Sequence, residues 1–453
     1  MGVQTTPSLD PLFKFTVDTA QSGVTASDTF ELALSTSAAV NMTVSWGDGS
    51  SDVITTWNQA ELTHQYSASG TYQISLDGSF DSLYFYLNDA AKLMSIDNWG
   101  TNKWQTGLRS FRGCVNMVGT YTDNPDFTEI TSMSSMFFDC LVFNSPLTID
   151  IPLCTTLLNT FTDCELLNSP ITITSSSNVT STYEMFAHCD VFNSAISIDD
   201  TSNVTTMRSM FERCTNFNQP INFDTSSNQW LFRMFSRCTN FNQPLSFDTA
   251  NVLRMDGMFE YCTNFNGAIT FTDTSNATRM DSMFLRCTNF NQPINFDTSS
   301  NQQFLSMFNQ CTNFNQTINF NGASCTRMDS MFYNCSNLNS SVTITNTNNC
   351  TTFLRMFQFC TVFNQPITFD ATSSTSVQEM FYHCSNFNSL VTLNNSGNIT
   401  KWNGMFRNCT VFNQAVNFDT TASTTFYLMF GSCNAFNQTV NFNSANCTSF
   451  STM

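Results

Sequence analysis

From Met136 onward the apolar residues fall on one template. Met-Phe-x-x-Cys-x-x-Phe-Asn returns every 24 or 25 residues, with anchors at Met136, Met185, Met210, Met234, Met258, Met283, Met307, Met331, Met356, Met380, Met405 and Met429. Thr160 stands at the one missing place, and the next anchor falls due at Met453. Within residues 205–224, Met207, Met210, Phe211 and Cys214 follow a spacing of three and four, which predicts one face of a short helix. Asn203 and Thr205 are placed to cap its start. Ile221 and Phe223 then alternate with Asn222, which predicts a short strand with two side chains turned inward. A fixed period in this range predicts a solenoid, each repeat being one turn stacked on the next. The stacked strands then make one long parallel sheet.

The first 80 residues follow another rule. FKFTV from Phe13, TFELAL from Thr29, MTVSW from Met42 and TYQISL from Thr71 alternate apolar and polar positions, with a turn signal at Gly47-Asp48-Gly49-Ser50. Short alternating strands at this spacing predict a small β-sandwich. Between 81 and 135 the repeat is degraded: Phe111-Arg112-Gly113-Cys114 replaces the Met-Phe-x-x-Cys block, and Trp99 and Trp104 add bulk. A terminal repeat has to cover an open core end, so this stretch reads as a cap and as the junction with the sandwich. The predicted fold class is mainly β with short helical segments, a solenoid over 136–453 preceded by a cap over 81–135 and a sandwich over 1–80.

Three columns recur from turn to turn. One is cysteine, including Cys214, Cys238, Cys262, Cys287 and Cys311. A second register, at Cys154, Cys325, Cys350 and Cys447, interchanges with Val179, Val204, Val252, Ala277 and Ile399, which marks a small buried apolar slot. No C-x-x-C pair exists, and an uninterrupted column has no natural pairing, so reduced and packed thiols are expected, as in a reducing cytosol. The next column is the asparagine after the second Phe: Asn144, Asn168, Asn193, Asn218, Asn242, Asn266, Asn291, Asn315, Asn339, Asn364, Asn388, Asn413 and Asn437. An amide both donates and accepts, so stacked Asn side chains are expected to satisfy the backbone of a buried bend. The last is the outward strand position: Thr148, Thr172, Ser197, Asn222, Ser246, Thr270, Asn295, Asn319, Thr343, Thr368, Thr392, Asn417 and Asn441. Two readings fit it, a solvated β face and a recognition surface for a glycan or a protein. The mixture of Asn with Thr argues against an ice-binding array.

Composition narrows the chemistry. Only 11% of residues are charged and the net charge is −18, which argues against nucleic acid and against an anionic bilayer. The N-terminal MGVQTTPSLDPLFKF has no basic patch and no apolar core, so no secretory signal is expected. No apolar run is long enough to span a membrane. His188 and His383 each precede a column cysteine, but sequence neighbours point different ways, so no Cys-His nucleophile is expected. Asp224, Asp248, Asp297, Asp370 and Asp419 follow strands at turns where Asp bonds its own backbone. No catalytic residue, metal site or cofactor is predicted. Sequons at Asn41, Asn178, Asn203, Asn276 and Asn398 arise from composition and are expected to be unused.

Two resemblances are specific. Trp46-Gly47-Asp48-Gly49-Ser50, His64-Gln65-Tyr66 and Gly70-Thr71-Tyr72 occur in the order of the PKD-type immunoglobulin-like domain, which this stretch resembles. The Met-Phe, Cys and Asn template over about 85–453 resembles the BspA-like leucine-rich repeats of bacterial surface proteins, in the short Met-Phe variant of mycoplasma lipoproteins. That likeness implies a right-handed solenoid and a role in adhesion or attachment. The expected function is a non-enzymatic structural or attachment protein, a virion appendage assembled in a host cytosol. The alternative is a bacterial cell-surface adhesin. Its expected partners are a protein or glycan receptor and other virion or surface subunits, with no nucleic acid and no membrane insertion.

Overall fold

The computed structural model describes residues 10–443 and 445–448, so the anchor expected at Met453 lies outside the described residues. The chain forms two compact units, residues 1–219 with 223–227 and residues 220–222 with 228–453. Both are mainly β, and the helices among the described residues are four single 3-10 turns.

The first unit starts with β1 (Phe13–Asp18), β2 (Thr29–Glu31), β3 (Val40–Ser45), β4 (Ser51–Ile54), β5 (Thr63–Gln65) and β6 (Thr71–Phe80). It continues through β7 (Leu93–Asn98) and β8 (Val118–Gly119), then β9 (Leu147–Asp150), β10 (Ile171–Thr174) and β11 (Ile196–Ile198). The strands on either side of residue 80 share one sheet, in the order β4-β3-β6-β1-β7-β8. β1 pairs antiparallel with β6 on one side and with β7 on the other. β7 then pairs parallel with β8, which starts the pattern of the repeats. β2 and β5 form a separate antiparallel pair.

Aromatic packing explains why the two parts join. Phe13 lies 5.9 Å from Trp99 and 5.6 Å from Trp104, and Phe80 lies 5.3 Å from Trp104, ring centre to ring centre. Both tryptophans are fully buried. Rings of this size bury large apolar areas, so Trp99 and Trp104 lie at the seam between the N-terminal sheet and the first turns, where the junction is expected. The side chain of Asn102 accepts from the Phe80 N–H at 3.1 Å and donates to the Phe80 C=O at 3.0 Å, closing the end of β6 as a strand would.

The second unit contains β12 (Leu245–Phe247), β13 (Ile269–Phe271), β14 (Ile318–Asn321), β15 (Val342–Thr345), β16 (Ile367–Asp370) and β17 (Val391–Asn394). They pair parallel as β12–β13, β14–β15 and β16–β17, equivalent positions facing each other, as Asn319 faces Thr343. The one long sheet expected is therefore divided into short sets.

The expected short helix is a chain of tight turns. In the second unit Met307, Asn309 and Cys311 donate their N–H three residues back, to Phe304, Ser306 and Phe308. The alternate residues Ser306, Phe308 and Gln310 donate instead to Asp329, Met331 and Tyr333 of the next turn, at 3.0, 2.9 and 2.7 Å. This alternation needs a left-handed residue at regular places, and Ser306 (φ 52°) and Gln310 (φ 62°) supply it. The first unit repeats the scheme, with Ser135, Phe137 and Asp139 donating to Leu158, Thr160 and Thr162. A chain of such turns returns apolar side chains to one face at the same spacing as a helix, which is why periodicity alone misread it. Asn203 and Thr205 cap nothing helical: they donate to the carbonyls of Ser177 and Thr180, one turn earlier.

Fixed spacing between turns puts like side chains on top of like. Phe235, Phe259, Phe284, Phe308 and Phe332 form a column with ring centres 5.8, 5.5, 5.4 and 5.5 Å apart and planes within 11°. Phe137, Phe161, Phe186 and Phe211 do the same in the first unit. The asparagine column is a side chain to backbone ladder. Asn291 Oδ1 accepts from Asn315 N–H at 2.9 Å, and Asn315 Oδ1 accepts from Asn339 N–H at 2.8 Å. Asn193 and Asn218 are linked likewise in the first unit, as are Asn242 with Asn266, and Asn364 with Asn388, in the second. The bend is not buried as expected: Asn144, Asn242, Asn266, Asn315 and Asn364 are exposed, and each side chain replaces a water at the next turn's N–H.

Two outcomes test this packing. Phe284→Ala empties the middle of a continuous ring column and should cost about 3–5 kcal/mol in urea unfolding. Asn291→Ala should speed amide exchange at Asn315, whereas Asn291→Asp keeps the acceptor and should leave that amide protected, as read by hydrogen exchange.

Candidate recognition surfaces

Most side-chain hydrogen bonds of the repeat serve the fold. Thr351, Thr375, Thr400 and Thr424 each donate to the carbonyl of the equivalent residue one turn back. Buried Thr298 and Thr347 donate to the carbonyls of Asn321 and Asp370 and accept from the N–H of the same residues. That buried hydroxyl column escaped the sequence reading, although the recurring Asp-Thr pair marks it. The turn carboxylates behave as expected. Asp297 Oδ1 accepts from Ser299 N–H, and Ser226, Ala250, Thr372 and Thr421 bond Asp224, Asp248, Asp370 and Asp419 in the same way.

The outward strand column differs. Thr148, Asn222, Thr270, Asn295, Asn319, Thr343 and Thr368 are exposed, and Thr172 and Thr392 are half-buried. Pairing holds Thr148 beside Thr172 in the first unit, and Asn319 beside Thr343 and Thr368 beside Thr392 in the second. Among the described residues these nine side chains make no hydrogen bond within the chain. In the second unit Thr270 and Asn295 border a shallow depression of about 200 Å³, with Ile269, Phe271 and Phe296 as its apolar part.

The cysteines have a different task. Cys214 Sγ donates to the Phe186 carbonyl in the first unit, and Cys262, Cys287 and Cys311 donate to those of Phe235, Phe259 and Phe284 in the second, all at 2.9 Å. Each of those carbonyls also receives the N–H of the cysteine in its own turn, as Phe259 does from Cys262, so the thiol occupies the second lone pair. Cys238 is fully buried on the same register. In the second register Cys325 and Cys350 donate within their own turn, to the carbonyls of Arg327 and Thr352. Every cysteine is a free thiol.

These thiols are poor nucleophiles. Burial pushes Cys287, Cys311, Cys335, Cys360 and Cys384 well above the usual thiol range. The neighbouring histidines face elsewhere. His188 Nδ1 lies 2.9 Å from Asp163 Oδ1, and His383 Nε2 lies 2.8 Å from Asn408 Nδ2, while Cys189 and Cys384 bond Phe carbonyls. Burial, then the charge of Arg407, holds His383 below the ordinary histidine range.

In the first unit Asp48, Ser50 and His64 come together. His64 Nε2 is 2.9 Å from Asp48 and 3.5 Å from Ser50 Oγ, and Ser50 Oγ donates to Asp48 directly. A relay needs the two imidazole nitrogens to face different partners. Here one nitrogen faces both, and the ring stacks on Trp46 at 4.8 Å. Tyr66 donates to the Trp46 carbonyl at 3.0 Å, and Tyr72 stacks on Tyr66. The cluster thus pins a loop. The hydrogen bond from Ser50, with His64 as a lesser contributor, lowers the Asp48 pKa to about 2.

The variable positions between Phe and Cys place Tyr333, Phe359, Tyr382 and His383 in ring contact, half-buried, with Arg407 over Tyr382. A template reading passes over them because those positions follow no rule. Asn178, Asn203, Asn276 and Asn398 direct their amide nitrogens to carbonyls one turn back. No group of three or more metal-ligating side chains occurs among the described residues, and none of their helices is long and apolar enough to cross a membrane.

One family model, described as Mycoplasma protein of unknown function, DUF285, matches residues 81–171, 155–266, 244–324, 295–392, 317–416 and 375–453. The chain belongs to this family. The matches start at residue 81, directly after β6, and cover the turns of both units. No curated protein and no solved structure matched the chain.

The thiol columns set a pH signature. A group whose pKa is raised in the folded state stabilises fully below its unfolded value, about 8.5 for a thiol, and that stability is lost as pH rises. Each such thiol contributes a slope of about 1.4 kcal/mol per pH unit above that value, because the unfolded chain ionises first. The urea midpoint should fall steeply above about pH 9. The double variant Cys287→Ala with Cys311→Ala, though less stable at neutral pH, should show a measurably flatter decline.

Proposed function

We propose that this chain is a non-enzymatic repeat surface protein that recognises a protein or glycan receptor through the outward strand column. The observation that carries the reading is the contrast between columns. The Thr, Asn and Cys columns described above are engaged from turn to turn, whereas the outward strand side chains keep their donors and acceptors free. A regular array of small uncharged groups on short strands can present many weak hydrogen bonds at fixed spacing, with little ordering cost on binding. The N-terminal strands are read as a PKD-type module that mounts the repeats, on the clustering of Trp46, Asp48, His64, Tyr66 and Tyr72.

Display on a virus particle assembled in a host cytosol, beside other virion subunits, fits the free buried thiols, since a reducing compartment leaves such columns intact. The second reading is a bacterial cell-surface adhesin of BspA-like type, favoured by the family's description as a mycoplasma protein. Neither reading involves nucleic acid, catalysis or a cofactor. Mass spectrometry separates them: the chain in purified particles supports the first, and the chain confined to cell envelopes supports the second.

The recognition face is tested by Thr343→Val combined with Thr368→Val, which removes two exposed hydroxyls and keeps side-chain shape. Binding of labelled protein to host cells, read by flow cytometry, should fall at least about tenfold with the melting temperature unchanged. Undiminished binding by the variant would refute the assignment of this face.

A further inference from the structure

A cleft of about 390 Å³ opens in the first unit between the end of β2, residues 57–63 and Asn88. It belongs to neither the strand column nor the repeat. Trp57 lies in its wall with 38% of its surface exposed, whereas Trp46, Trp99, Trp104 and Trp402 are fully buried. Trp57 makes no ring contact and no hydrogen bond among the described residues. Glu31 lies in the same wall, half-buried, facing Thr63 across the β2–β5 pair. Its carboxylate has no hydrogen bond and no ion pair among the described residues.

The nearby cation does not relieve Glu31. Lys92 is fully buried and donates to the carbonyls of Thr25, Ala26 and Thr29, with Asp89 at 3.6 Å. Asp89 in turn accepts the N–H of Val24, Thr25 and Glu31. This buried pair fixes the backbone under the cleft and leaves the Glu31 side chain uncompensated. Burial, then the negative charge of Asp89, raises the Glu31 pKa. The site is therefore short of one positive charge, in a chain whose net charge of −18 draws cations toward it.

An exposed indole and an unpaired carboxylate lining one cleft suit one class of ligand. The face of Trp attracts a cation and covers its methylenes, and the carboxylate supplies the counter-charge. A neutral sugar would use the ring but would leave the carboxylate without its cation. We propose that this cleft binds an alkylammonium group, with Trp57 as the stacking face, Glu31 as the counter-ion and the exposed Asn58 amide at the rim. A lysine side chain of a partner protein and a free small amine share this chemistry.

The test is a titration of the full chain, followed through the NMR signal of the Trp57 indole. The probes are Nα-acetyl-lysine-N-methylamide, n-butylamine and methyl β-glucoside. Both amines should give saturable shifts that weaken at high salt, and the glucoside should give none. Tighter binding of the lysine derivative identifies a protein side chain as the source, and equal binding identifies a free amine. Glu31→Gln should weaken amine binding at least about tenfold, and Trp57→Ala, at an exposed position and followed through the line widths of the amine's own signals, should abolish it with the fold intact. The proposal is overturned by the absence of saturation below about 50 mM amine, by a response to the glucoside alone, or by unchanged affinity in Glu31→Gln.

Discussion

The whole repeat depends on where the alternate N–H groups of the Met-Phe segment point. Half close tight turns within their own segment, and half reach the carbonyls of the next turn, as Phe308 reaches Met331. That arrangement sets one distance between turns, and every other column inherits it. Rings stack 5.4–5.8 Å apart because the backbone beneath them is spaced that way. The thiols of Cys262, Cys287 and Cys311 reach the carbonyl of the preceding turn for the same reason. The cost lies in left-handed residues at Ser306, Gln310 and their equivalents, a backbone state that a side chain with a Cβ disfavours. The bonds and burial gained along both segments offset it.

With the interior decided in this way, side chains sort by whether they can touch a neighbouring turn. Hydroxyls of Thr351 and Thr375, amides of Asn291 and Asn315 and thiols of Cys287 and Cys311 all can, and all bond there. The outward strand side chains stand off the sheet and have no carbonyl in reach, so their hydrogen-bonding capacity stays open to solvent or to a partner. Structure and candidate function are thus two outcomes of one geometric rule. The same rule explains the low charge. Stacked like charges would repel at every turn, so uncharged Asn and Thr build most of the surface.

The N-terminal sheet is organised by aromatic packing and two small polar clusters, not by repetition. Phe13 and Phe80 meet Trp99 and Trp104, so the antiparallel strands hand over to the parallel ones through β1 and β7 without a gap in the core. The cluster of Asp48, Ser50 and His64 pins a loop, and the buried pair of Asp89 and Lys92 pins the backbone beside the cleft.

Period, stacking, the inward strand pair and the cysteine, asparagine and outward strand columns could be read from the chain, because a side chain that must match its own copy one turn away recurs at a fixed interval. Asn315 and Cys311 announce themselves in this way. Helix and chained turns could not be separated, since both return Met307, Phe308 and Cys311 to one face, and the left-handed residues that distinguish them are seldom glycine. The exposure of the Asn bend, the freedom of Thr343 beside the engagement of Thr351, and the placing of Glu31 and Trp57 in the walls of one cleft were decided by tertiary structure alone. Sequence records which residues repeat; only the folded backbone determines which carbonyl each of them can reach.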